Sequence, residues 1–127
     1  DIAQYKIDNK VTLSNTAIEE LKEIYMNVDR GLHAAFLALS TEDTKYVEET
    51  DMYEQKVDSL RDIFKEKHIK RLNKNECNIN AGVLFLEALT NLERISDHSV
   101  NIADVVRNVD KDKLKLDRKV DIAPEKY

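Results

Sequence analysis

The stretch "AGVLFLEALTNLERISDHSVNIADVVRNV", residues 81–109, decides the fold. Its apolar or small positions Ala81, Phe85, Ala88, Leu92, Ile95, Ser99, Ile102, Val106 and Val109 recur three and four residues apart. That is the period of a helix with one buried side. Two stretches upstream behave alike. Ile18, Leu21, Tyr25, Val28, Leu32, Ala35 and Leu39 form one stripe, and Tyr46, Thr50, Tyr53, Val57, Leu60 and Phe64 form another. The spacing predicts three helices over residues 14–39, 42–72 and 76–109, with Ser14 as N-cap of the first and Ser40 to Asp43 ending it and capping the next. The asparagines of "NKNECN", residues 73–78, suit the second turn. Short connections between long helices make neighbours antiparallel, so the expected fold is all-α, an antiparallel three-helix bundle.

Composition agrees. With 127 residues the chain holds one domain, and two glycines and one proline leave little material for hairpins. Residues 11–109 form the expected bundle, residues 1–10 an N-terminal linker or tail, and residues 110–127 a charged C-terminal tail without a sustained stripe. A net charge of −5 disfavours nucleic acid and suits cations as ligands. The single cysteine, Cys77, cannot pair within the chain, so a reducing compartment such as the cytoplasm fits best. No apolar run approaches the roughly 20 residues that span a bilayer, although the start at Asp1 leaves room for a larger protein.

The chemistry sits in two matching motifs, "EQKVD" at 54–58 and "ERISD" at 93–97. Each places two carboxylates four residues apart, Glu54 with Asp58 and Glu93 with Asp97, hence on one side of its helix. Both pairs lie off the apolar stripe and are rotated from it in the same sense, which in antiparallel neighbours turns the two faces either together or apart. If together, four carboxylates converge into the oxygen-rich surroundings that metal ions require. Asp51, Asp62, Asn101 and Asp104 lie on or near the same faces, as further oxygens or as partners that hold the ligands in place. In a chain with 25 acids, the bland alternative is a solvated face.

The stretch "LERISDHSVNIA", residues 92–103, resembles the signature of the PhoU family, in which a three-helix unit carries an acidic motif on its second helix and another on its third. Glu54 with Asp58 and Glu93 with Asp97 match those motifs in kind and order, over a resemblance that covers roughly residues 15–109. The family's glycine is Ser96 here. Full-length PhoU regulators hold two such units in tandem, whereas this chain holds one and is similar to the domain that follows the membrane portion of bacterial sodium-dependent phosphate cotransporters. The resemblance implies a multinuclear iron or zinc cluster on the bundle surface, a role in controlling phosphate uptake, a transporter membrane portion as partner in the same polypeptide or separately, and a place on the cytoplasmic side of the cell membrane.

Other residues add less. His98 points about 100° away from Asp97, and His33 with Asp29 on the first helix sits on a polar flank. The basic run "KEKHIKRLNK", residues 65–74, reads as a solvated helix end or as a patch for anionic lipid headgroups. No phosphate loop, nucleophile elbow or Glu-x-x-His motif is present, so no enzyme is expected. The competing readings are a metal-free helical module for partner binding or self-association as a homo-oligomer, and a stand-alone PhoU-type regulator of phosphate signalling.

Overall fold

Three helices follow one another in the computed structural model, which describes residues 13–74 and 78–122. They are α1 (Asn15–Thr41), α2 (Thr44–Asn73) and α3 (Ile79–Ile122), and each packs against both others. The all-α three-helix bundle is therefore the fold. Two reversals make α1 and α3 parallel, with α2 antiparallel to both.

Local chemistry sets the ends. Ser14 caps α1 by accepting the Ala17 N–H at 3.1 Å. The turn after α1 is made without glycine: Glu42 takes a left-handed backbone, φ 57°, and donates its N–H to the Ala38 carbonyl at 2.8 Å. Asp43 then caps α2 through the Lys45 N–H at 3.0 Å. Asn78 accepts the Asn80 N–H at 2.8 Å and opens α3. The expected linker at 1–10 and Cys77 lie outside the described residues.

The far end of α3 corrects the expectation. The helix does not stop at 109 but continues to Ile122. The stretch 110–122 has no glycine or proline, and its aspartates and lysines recur at the three- and four-residue spacings that support a helix. A strong apolar stripe is not needed for helix, only for burial.

The interior is one packed cluster at the turn of α2 into α3, built on Ile24, Val57, Phe64, Leu84 and Phe85, and a smaller one at the other end, built on Ala38, Val47, Ala103 and Val106. Both glycines serve close approach rather than turns. A methyl on Gly31 would stand 3.1 Å from the Tyr53 Cβ, and one on Gly82 would stand 3.0 Å from the His68 ring and 3.1 Å from Leu72. The core also holds charge. Arg71 of α2 donates to both oxygens of buried Glu20 on α1, at 2.7 and 3.3 Å, and stands 3.3 Å from the His68 ring. The His68 ring in turn stacks on Phe85 of α3 with centroids 4.6 Å apart. This network ties all three helices together. No helix among the described residues is long and apolar enough to cross a membrane.

Candidate metal centre

The groove between α2 and α3 gathers the acids. On α2, Asp51, Glu54 and Asp58 step along one side at three- and four-residue intervals, opposite Glu93, Asp97 and Asp104 on α3. Ser96, Ser99 and Ala103 turn inward between the α3 acids and are buried. Small side chains at these positions let α3 lie close to α2, and Ser96 fills the place where the sequence motif has its glycine without opening the packing.

Glu54 shows how near the acids lie. Its carboxyl is pushed up to about 7, first by burial, then by a hydrogen bond shared with Asp58, then by the charges of Asp58, Asp97 and Asp51. The bond to Asp58 favours the protonated form of Glu54, and Asp97 reaches the same field from the other helix. Glu93, the fourth expected ligand, is engaged differently. Arg61, one turn after Asp58, donates to the Glu93 carboxylate, stands 3.6 Å from Asp58 and donates to Asp62 at 3.1 Å. Glu93 first, and then Asp62, hold the guanidinium charged above its ordinary range against the opposing effect of burial.

A second arginine closes the far end of the groove. Arg107 of α3 donates to Asp51 across the groove and to Asp104 on its own helix, both at 2.5 Å. The sequence reading placed Asp51, Asp62 and Asp104 near the acid faces but did not find the two arginines. Their signal was there: Arg61 is three residues after Asp58, and Arg107 three after Asp104.

As the side chains stand, no group of three or more His, Cys, Asp or Glu among the described residues is arranged to hold one ion. The donors nevertheless suit a hard or borderline cation, because the chemistry of the set is carboxylate oxygen from two helices, and the neighbouring carboxylates that raise the Glu54 pKa are the repulsion a cation would relieve. Asp29, His33 and His98 are exposed, the first two on α1, which does not wall this groove. His68 was read as part of a solvated end. It is 1 % exposed, and its Nε2 finds no hydrogen-bond partner among the described residues. Burial and the Arg71 charge lower its pKa, offset in part by the nearby Gly82 backbone and by Glu20.

A family model described as the PhoU domain matches residues 13–106. No curated protein and no solved structure matches the chain significantly.

Proposed function

The chain belongs to the PhoU domain family, whose role is phosphate-related regulation, and from that premise we propose that it is the cytoplasmic regulatory domain of a sodium-dependent phosphate transporter, reading metal ions through the α2/α3 groove. The observation that carries the metal part is the shared groove: Glu54 and Asp58 from α2 face Glu93 and Asp97 from α3, and their charges act on one another. Those four carboxylates are the proposed ligands, and iron or zinc, singly or as a cluster, is the proposed ion. A bound cation supplies positive charge that relieves the repulsion within each pair.

The protein's own residues set the terms. Glu54 would have to be ionised to act as a ligand, and the Glu93 oxygens now held by Arg61 would have to be freed. Asp62, which already receives an Arg61 N–H, offers the guanidinium a resting place one helical step away. The Arg61–Glu93 contact joins α2 to α3, so an ion held there would bear on how these helices lie, a means of signalling to a membrane partner. No catalytic role is proposed.

The decisive experiment is metal analysis of tag-free protein after iron or zinc loading, beside the Glu93→Gln, Asp97→Asn double variant. The expected result is metal in the wild type, a rise in melting temperature with it, and loss of both in the variant. A wild type that stays metal-free under both loadings sinks the metal reading. The transporter reading is tested by the gene itself: apolar spans in the same polypeptide support it, and their absence leaves a stand-alone regulator of phosphate signalling.

A further inference from the structure

One end of the bundle differs in charge from the rest. Because α1 and α3 are parallel, their starts lie together beside the finish of α2. Neither start carries an acid in its first turn, so the partial positive charge of two helix N-termini meets no carboxylate there. The finish of α2 adds cations. Between Lys65 and Asn80 the chain holds five basic residues and two acids, against a net charge of −5 for the whole. The opposite end reverses the pattern: α1 finishes without a basic residue in its last turn, and Glu42 and Asp43 follow.

The fold sorts the basic run into two kinds. Arg71 and His68 turn inward, Arg71 to Glu20 and His68 onto Phe85. Lys67, Lys70 and Lys74, three and four residues apart, keep to one outer side of α2 and are exposed. Of the two acids, Glu76 lies outside the described residues, and Glu66 stands 3.8 Å from Lys70 with both side chains more than two-thirds exposed, so that pair parts easily. Apolar side chains sit among these charges. Ile69 is 46 % exposed, and Ile79, at the start of α3, 77 %. Gly82 packs against His68 and Leu72, which puts Ile79 nearly one turn closer to the end of the bundle. Val83, four residues on and half exposed, shares its side of α3, and helical side chains tilt toward the N-terminus, so both lean to that end.

We propose that this end of the bundle is a docking surface for an anionic lipid bilayer. The choice of basic residue argues for lipid. Lysine is a flexible point charge suited to a diffuse field of headgroups, whereas the planar fork of arginine suits fixed pairing with one carboxylate, and the arginine of this run is engaged inside on Glu20. The isoleucines argue the same way. Their side chains and the lysine stems enter the headgroup region while the ammonium groups stay at the phosphates. A long nucleic acid would run on past this end along the acid-rich α2/α3 groove and be repelled, while a bilayer meets the end alone. The inference uses charge and exposure at this end and not the metal groove, so it holds for a transporter domain and for a free regulator alike.

Co-sedimentation of the full chain with vesicles, in chelator and reductant, tests the proposal apart from any metal. Vesicles of phosphatidylcholine with a quarter phosphatidylglycerol are expected to hold half of the protein at on the order of 1 mM accessible lipid, and phosphatidylcholine alone to bind at least about tenfold more weakly. Salt at about 0.5 M is expected to release the protein. The triple variant Lys67→Gln, Lys70→Gln, Lys74→Gln is expected to bind roughly 100-fold more weakly, about fivefold for each lysine, and Ile79→Ser roughly fivefold more weakly, with unchanged helical circular dichroism. Should the triple variant lose helicity, Lys70→Gln alone reads the same contact at about fivefold. Equal binding to both kinds of vesicle, binding to neither, or folded charge variants that bind like the wild type overturn the proposal. Retention on immobilised polyglutamate without vesicle binding assigns this end to an acidic protein and overturns it as well.

Discussion

Arg61 on α2 donates to Glu93 on α3, and the same guanidinium lies 3.6 Å from Asp58, so one cation belonging to the protein bridges the two acidic motifs. The contact explains how a groove with so many carboxylates holds together without any added ion. If the proposed ion binds here, it competes with Arg61, which holds oxygens of Glu93 and stands beside Asp58.

Arg61→Gln therefore removes the competitor. Divalent zinc or ferrous iron is expected to bind the variant about tenfold more tightly than the wild type, a difference of about 1.4 kcal/mol. The metal-free variant should lose less than about 1 kcal/mol of stability, because Arg61 and its partners are partly solvated. Calorimetric titration and urea unfolding read the two effects. Equal affinities in both proteins would discard the competition.

Glu54 predicts a particular dependence on pH. Its folded pKa, about 7, stands above the ordinary 4.5, so the folded state binds more protons between those values and stability falls as pH rises through that window. Glu54→Gln is expected to flatten this slope and to raise the melting temperature at pH 8. His68 acts with the opposite sign. Its lowered pKa makes the unfolded state the better proton acceptor below about 6.5, so stability falls as pH drops there. The wild-type profile mixes the two, and comparison with the glutamine variant separates them.

Glu20 and Arg71 are a buried pair, with side chains 8 % and 15 % exposed. Arg71→Ala strands the buried Glu20 carboxylate without its partner. The expected loss is about 3–5 kcal/mol, read as a lower urea midpoint. Arg71→Met is expected to lose nearly as much, since the stranded charge rather than the missing volume dominates. A loss below about 1 kcal/mol in either variant would show that water reaches Glu20.

Gly82→Ala tests the close approach of α2 and α3. Alanine favours helix by about 1 kcal/mol in an open position. Here its methyl would meet the His68 ring at 3.0 Å, and that ring is fixed by stacking on Phe85. We expect net destabilisation of about 1–3 kcal/mol by thermal or urea unfolding. A stabilised variant would mean that the His68 ring yields.

The three helices were legible because their periodicity runs unbroken over long stretches and the caps use ordinary chemistry. Which side of α1 is buried was less so. Reading by large apolar residues selected Tyr25 and Leu39, yet the interior takes Ala17, Gly31, Ala34 and Ala38, because helices that approach closely bury their smallest side chains at the crossing. The acid pairs could be read as pairs, since spacing alone puts four-apart residues together. The spacing of Arg61 from Asp58 and of Arg107 from Asp104 could be read, but their partners across the groove depend on helix rotation and register, which one helix's sequence does not contain. His68 and Arg71 were hidden inside a basic run whose charge suggested solvent. Only the placement of Glu20, one turn before Ile24 on the inward side of α1, explains why that run turns in.

The length of α3 gives the acidic motif leverage. From Glu93 to Ile122 the helix rises about 44 Å, so each degree by which the rod pivots at the Arg61 contact sweeps its tip through about 0.8 Å. A displacement of atomic size at that contact is thereby amplified at the far end of the rod.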